Sequence, residues 1–321
     1  MATKRIGVLT SGGDAPGMNA AIRSVVRSGI DMGMEVVGIY RGYNGLINND
    51  MEVLNLRSVS DIIHRGGTVL YTARCLEFKT EEGINKAVEV CKEQGIDGIV
   101  VIGGDGSYRG ARDLSLKGIP CVGIPGTIDN DIACSEYTIG FDTAMNTACE
   151  MVDKLRDTAQ SHERCTVVEV MGRGAGHIAL QTGIAVGASA IIIAEQPYDL
   201  DAIVADIIKS RDSGKMHFII VVSEGVGGVE EIAKKIQDMT GIESRATILG
   251  HVQRGGNPSV RDRVVATEMG YHAVELLSKG IGNRVVGMKD NKIVDYDIVE
   301  GLNMKKEIDM DLYNIANHVS I

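Results

Sequence analysis

Short apolar runs recur along the first half of the chain, each followed by a glycine-rich turn and then by apolar residues at helical spacing. Residues 6–9 read as a buried strand. Thr10-Ser11-Gly12-Gly13-Asp14-Ala15-Pro16-Gly17 follows, and Met18, Ile22, Val25, Val26 and Ile30 then form one stripe of a helix. The same order repeats: a strand over 36–40, a helix over 82–94 ending at Gly95, and a strand over 98–102. That last strand feeds Gly103-Gly104-Asp105-Gly106-Ser107 and a helix that closes before Gly118. Residues 120–124 predict a strand running into Pro125-Gly126-Thr127-Ile128-Asp129-Asn130-Asp131. A second series starts past residue 140, with Ala144, Ala148, Met151, Val152 and Leu155 on one helical stripe and strands over 165–170, 191–194 and 218–222. Strands alternating with helices predict an α/β fold of mostly parallel sheets flanked by helices. No Pro- or Ser-rich linker divides the chain, so two lobes with a cleft between them are expected rather than independent domains. In such sheets ligands bind at loops that follow strands.

Composition narrows the function classes. Hydrophobic residues at 44% and charged residues at 24% suit a soluble globular enzyme. No apolar run approaches the roughly 20 residues that span a bilayer. The segment Met1-Ala2-Thr3-Lys4-Arg5 lacks a signal peptide's apolar core, so a cytoplasmic protein with no membrane partner is expected. Glycine supplies 40 of 321 residues, about 12% against a usual ~7%, which points to tight turns and close backbone approaches to something bound. Tryptophan is absent, aromatics are 4% and the net charge is −10, all of which oppose nucleic-acid binding. The six cysteines (75, 91, 121, 134, 149 and 165) form neither a C-x-x-C pair nor a zinc-spaced cluster, so no disulfide framework or structural metal is expected.

Five groups of residues carry candidate chemistry. Residues 12–17 lack both dinucleotide spacing and a P-loop lysine, and read equally as a tight turn or as a phosphate cradle at a helix N-terminus. In residues 103–107 the glycines let backbone pack on phosphates, and Asp105 is a hard oxygen ligand of the kind Mg²⁺ needs; a cap on the next helix is the lesser reading, and the motif alone favours nucleotide chemistry. Asp129 and Asp131 stand two apart after a strand, which in extended backbone places both on one side. Like charge there would raise one pKa and suit a carboxylate that takes a proton from a hydroxyl. Arg164, Arg173, Arg245, His251 and Arg254 flank strand ends or glycines, where guanidinium forks suit phosphate. Arg23 and Arg27 repel at i, i+4 opposite the apolar stripe unless an anion lies between them.

Taken in order, IGVLTSGGDAPGMNAAIR, RGGT…ARC, GGDGS, PGTIDND, MGR and LGHVQRGG resemble the bacterial ATP-dependent 6-phosphofructokinase family, from residue 6 to about 300. The resemblance implies two Rossmann-like lobes: 1–140 plus 253–303 for ATP, and 141–252 plus 304–321 for fructose 6-phosphate. It implies transfer of the γ-phosphoryl group of ATP to the sugar's 1-hydroxyl. Gly13, Tyr43, Arg74, Cys75, Gly104, Asp105, Gly106 and Ser107 would line the ATP site, with Asp105 on Mg²⁺. Asp129 would be the base, Asp131 its support, and Thr127 and Arg173 would position and neutralise the transferring group. Met171, Gly172, Glu224 and Arg254 would hold the sugar, while Arg164, Arg245 and His251 grip its 6-phosphate. Arg164 and Arg245 would reach in from a neighbouring subunit of a homotetramer.

Donor and regulation follow from the same resemblance. Pyrophosphate-dependent relatives carry Asp and Lys where this chain has Gly106 and Gly126, so ATP is the expected donor. An effector, ADP or phosphoenolpyruvate, would bind Arg23, Arg27, Asp61, Arg156, Gly187, Lys215 and His217. Ser189 replaces a family Mg²⁺-binding glutamate and Ser213 a family arginine, so the response to ADP is expected to be reduced or altered. GGDG-type loops also occur in NAD and lipid kinases, but those lack the TIDND and HVQRGG segments. A non-catalytic sugar-phosphate sensor would have lost Asp105 or Asp129, and both are present.

Overall fold

The apolar runs become the central strands of two sheets. A computed structural model describes residues 3–320. Its strands, in chain order, are β1 (Arg5–Ser11), β2 (Glu35–Ile39), β3 (Met51–Leu54), β4 (Gly98–Gly103), β5 (Cys121–Pro125), β6 (Cys165–Val170), β7 (Ala190–Ile192), β8 (Phe218–Ser223), β9 (Ser244–Ile248), β10 (Arg284–Lys289) and β11 (Lys292–Asp297).

The described residues divide into two compact units. One holds the chain up to Ile128, Ile132–Thr143 and Arg254–Lys306; the other holds Asp129–Asp131, Ala144–Gln253 and the chain from Glu307 onward. The first unit carries a seven-stranded sheet in the order β11-β10-β5-β4-β1-β2-β3. Its five inner strands pair in parallel, and β3 and β11 add antiparallel edges. The second unit carries β7-β8-β6-β9, parallel throughout.

Strands covered on both faces read as continuous apolar runs rather than as alternation. Ile99, Val100, Val101 and Ile102 of β4 are wholly buried, as are Ile220, Val221 and Val222 of β8. Each such aliphatic side chain contributes roughly 1.5–3 kcal/mol on burial, so these strands anchor the two cores. Helices pack alongside: Met18–Asp31 buries Met18, Ile22, Val25 and Val26 of the predicted stripe. Helix Glu81–Glu93 ends as expected, with Gly95 in the left-handed region at φ 63.

Two features escaped the sequence reading. The hairpin between β10 and β11 turns on Asp290 and Asn291, both at positive φ, as a two-residue turn of the primed type requires. Among the strands, β7 stops at Ile192 rather than continuing to Ala194.

Candidate active site

Loops at the carboxyl ends of strands collect most of the candidate residues. In the first unit, β1 delivers residues 12–17 to the helix Met18–Asp31, and Gly17 turns at φ 106. A Cβ at Gly17 would lie 2.6 Å from the Ile139 Cγ2, so only glycine fits both the dihedral and the space. Strand β4 delivers Gly104, and the helix Asp105–Leu116 starts immediately after it. That first turn opens at an exposed glycine-bearing surface, the arrangement that attracts phosphate, although the Ser107 N–H already donates to the Gly104 carbonyl at 2.9 Å.

The two loops are tied together. Ser107 Oγ donates to the Ser11 carbonyl at 3.0 Å, and a Cβ at Gly103 would lie 2.4 Å from that carbonyl. Thr72 Oγ1 donates to the Gly12 carbonyl at 2.7 Å, which brings the segment carrying exposed Arg74 and half-buried Cys75 beside the first loop. Tyr43 occupies a different place from a lining residue. Its ring is buried and stacked on Phe78 at 4.0 Å, and its hydroxyl donates to the Ser107 carbonyl at 2.6 Å, so it props the second loop from below. Arg254 belongs to the first unit, where its guanidinium carbon would lie 3.3 Å from a Cβ at Gly13. A cation therefore rests on the glycine loop expected to hold phosphate.

Asp105 is half exposed and paired with Arg109 at 2.8 Å, one helical turn away. It offers one hard oxygen donor at the loop. Among the described residues no group of three or more His, Cys, Asp or Glu side chains gathers around a metal position. That donor set fits a magnesium ion carried chiefly by water and nucleotide phosphates rather than a caged one. Gly106 faces open space, with nothing within 4 Å of an added Cβ, so the fold itself does not demand glycine there.

The TIDND segment departs from the expected geometry. Asn130 sits at φ 53, the left-handed region that asparagine tolerates better than most residues. The extended alternation breaks there, so the two carboxylates do not share an environment: Asp129 is 2% exposed and Asp131 is exposed. Asp129 Oδ2 lies 3.2 Å from Arg173 Nε, a buried carboxylate facing a largely exposed guanidinium. Thr127 is set by backbone, its N–H donating to the Ile139 carbonyl at 3.1 Å.

In the second unit, Met171, Gly172 and Arg173 follow β6 and Glu224 follows β8. Glu224 Oε1 accepts from the Gly172 N–H at 3.2 Å and from the Arg173 N–H. The Met171 N–H donates to Gln253 Oε1 at 2.9 Å, and Gln253 is fully buried. Arg173 itself is at φ 54, so these bonds hold a residue away from its usual backbone basin. Gln253 is a residue that the sequence reading passed over; its place between His251 and Arg254 was the available signal.

Arg164 and Arg245 lie at the other end of the same sheet. Arg164 precedes β6 and Arg245 opens β9, and both reach Glu243, at 2.8 Å each. The hydrogen bonds from Arg164 and Arg245 hold the Glu243 carboxyl below the usual carboxylate range. A six-residue strand spans roughly 20 Å, so Arg164 stands about a strand's length from the Arg173–Glu224 loop, and Arg245, paired with Thr166, lies toward the same far end. Glu243 had no signature in the sequence.

The expected effector residues form two cationic pairs or clusters. Arg156, on the helix Phe141–Ser161, donates to the Val186 carbonyl next to Gly187, which turns at φ 59. Burial, then the nearby charge of Arg156, lowers the pKa of Lys215 and of His217. In the first unit, burial and then the charge of Arg27 lower the Arg23 pKa, so the predicted repulsion is present. Asp61 is exposed at φ 54. Buried Cys91 and Cys165 have thiols pushed up to about 12 by burial, and all six cysteines are free, four of them buried and Cys75 and Cys149 partly exposed. No helix among the described residues is long and apolar enough to cross a membrane.

With that geometry in place, comparison with known proteins is informative. A model of the phosphofructokinase family matches residues 5–277. ATP-dependent 6-phosphofructokinases of Bacillus cereus (strain B4264) and Bacillus cytotoxicus are each 58% identical over 318 residues, which is 99% of this chain and 100% of theirs. The structure of phosphofructokinase from Saccharomyces cerevisiae matches with a TM-score of 0.87 at 36% identity, covering 99% of this chain and 48% of that longer one.

Proposed function

The chain belongs to the phosphofructokinase family, and on that premise we propose how its residues carry the reaction. It is an ATP-dependent enzyme that phosphorylates the 1-hydroxyl of fructose 6-phosphate, giving fructose 1,6-bisphosphate and ADP in glycolysis. The observation that carries the residue assignment is the buried Asp129 carboxylate paired with Arg173.

Phosphoryl transfer needs in-line positioning and charge stabilisation more than covalent help. The first unit holds ATP: the helix N-terminus at Gly104–Asp105 and the Gly12–Gly13 loop supply donors to its phosphates, and Arg254, expected from the sequence to hold the sugar, lies against that glycine loop and brings positive charge to the phosphates as well. Asp105 would hold a magnesium ion, which when bound would neutralise phosphate charge. The second unit holds the sugar phosphate through Met171, Gly172, Glu224 and His251. Asp129 accepts the proton of the 1-hydroxyl. Until a phosphoryl group arrives, Arg173 compensates the buried charge of Asp129; a guanidinium can then turn its fork to the transferring group and leave the carboxylate to the hydroxyl. Asp131, exposed beside it, adds to the local negative field, and Thr127 orients the group in transit.

Arg164 and Arg245 serve the 6-phosphate of a neighbouring copy's site, since they sit at the wrong end of the sheet for their own. That placement supports active sites shared between copies, as in the homotetramer that the sequence resemblance implies. The Arg156, Lys215 and His217 cluster with Gly187 takes a phosphorylated effector, and Arg23, Arg27 and Asp61 serve the effector of a neighbouring copy. Arg211 does not replace the missing arginine at Ser213, because it donates to the Thr240 carbonyl at 3.0 Å and pairs with Asp212. Losing that cation and the carboxylate at Ser189 weakens diphosphate binding by about 1–3 kcal/mol each. Fructose 6-phosphate saturation curves with and without ADP should show little activation; strong activation would refute this part.

The direct test is an aldolase-coupled assay of the purified protein with ATP, GTP and pyrophosphate as donors. Turnover with ATP and none with pyrophosphate is expected. Pyrophosphate outperforming ATP would overturn the donor assignment.

A further inference from the structure

Asp262 is fully buried on the helix Val260–Ser278, 122 residues from the Gly140 amide it binds, and it has no part in the assignments above. Its two oxygens receive four donors. The Gly140 N–H and the Tyr137 hydroxyl donate to Oδ1, and the Thr143 N–H and hydroxyl donate to Oδ2. Thr143 Oγ1 also accepts from the Ser259 N–H at 2.9 Å, so its own proton must point at Asp262. Burial raises the Asp262 pKa above the ordinary carboxylate value, against the pull of these donors. A site with only donors facing it accommodates a carboxylate and nothing else of that shape.

The clamped segment, residues 137–143, has a second edge. The Ile139 N–H donates to the Pro125 carbonyl at 2.9 Å, and the Ile139 carbonyl accepts from the Thr127 N–H at 3.1 Å. Thr138 Oγ1 donates to the Thr127 carbonyl at 2.7 Å. Both backbone groups of Thr127 are therefore held by two consecutive residues of the strap. The strap also seats against the first glycine loop, where a Cβ at Gly140 would lie 2.7 Å from the Ala15 Cβ. The segment that Asp262 grips is thus the one that holds Thr127.

We propose that Asp262 is a positioning residue for phosphoryl transfer, clamping residues 137–143 so that this strap fixes Thr127, two positions before the base. The inference rests on the phosphofructokinase reading. Asp262→Asn keeps the shape but turns one acceptor into a donor that faces two donors. Displacement of a reacting group by about 1 Å costs on the order of 10²-fold in rate. The folded variant should therefore lose about 10- to 100-fold in kcat while KM for ATP and fructose 6-phosphate changes less than about threefold. Combined with Thr127→Ala, its effect should shrink to the part transmitted along the backbone to Asp129, because the side chain that the strap aims is gone. A folded Asp262→Asn enzyme with unchanged kcat, or with a raised KM alone, would overturn the inference. Should Asp262→Asn fail to fold, Tyr137→Phe and Thr143→Val each remove one donor. A several-fold fall in kcat, restored by Thr143→Ser, supports the clamp, and unchanged kcat in both refutes it. Wild-type enzyme without aldolase-coupled turnover would sink the kinase reading itself, whereas an active wild type with unaffected variants sinks only the clamp.

Discussion

Asp129 and Asp131 show how one dihedral separates two identical side chains. The left-handed turn at Asn130 leaves Asp129 2% exposed and Asp131 in solvent, so only the former is shielded enough to act as a directed base. A general base contributes about 10²–10⁴-fold. Asp129→Ser should keep fructose 6-phosphate binding while kcat falls by roughly 10³-fold; steady-state kinetics with both substrates varied would reveal near-normal turnover if the base lies elsewhere. Asp105→Ala should abolish the dependence of rate on magnesium concentration in the range where wild type responds. An unchanged magnesium titration would remove Asp105 from the nucleotide site.

Helices and turns raise this chemistry to the level of elements. Gly17 joins the first glycine loop to its helix at φ 106, with Ile139 2.6 Å from where a Cβ would stand. A non-glycine residue in such backbone costs about 1–3 kcal/mol before the clash is counted. Gly17→Ala should lower the urea midpoint by at least that equivalent. On the far edge of the same unit, His272 and Arg284 meet Asp295 at 2.8 Å and 2.6 Å. Burial pushes the Asp295 carboxyl up, but the hydrogen bonds and charges of His272 and Arg284 outweigh it and leave the pKa lowered. A lowered folded value means that this stabilisation is complete above the unfolded value of ~3.9 and fades as pH falls through the folded one. Thermal scans of Asp295→Asn should show a lower Tm near neutral pH and a shallower decline between about pH 5 and about pH 2 than wild type.

Across the whole molecule, the sheet of the second unit has working residues at both ends. Met171, Arg173 and Glu224 follow strands, whereas Arg164 and Arg245 precede or open them and share Glu243. On the proposed reading, each set serves a different site. Mixing inactive Asp129→Ser subunits with inactive Arg164→Ala subunits under dissociating and reassembling conditions should restore part of the activity. Hybrids that stay inactive would argue for sites completed within single chains.

Local pattern carried a large part of this protein. Strand β6 falls where its apolar run lies, Gly95 caps its helix, and the order of the six motifs was enough to name the family, because short-range backbone preferences and contiguous motifs are written residue by residue. Burial of Tyr43 beneath Ser107, the parting of Asp129 from Asp131, the grip of Glu224 on the Gly172–Arg173 backbone and the Asp262 clamp were decided only by the fold. Each joins segments far apart in the chain or depends on a single dihedral, and neither spacing nor composition encodes which distant donors a carboxylate will meet.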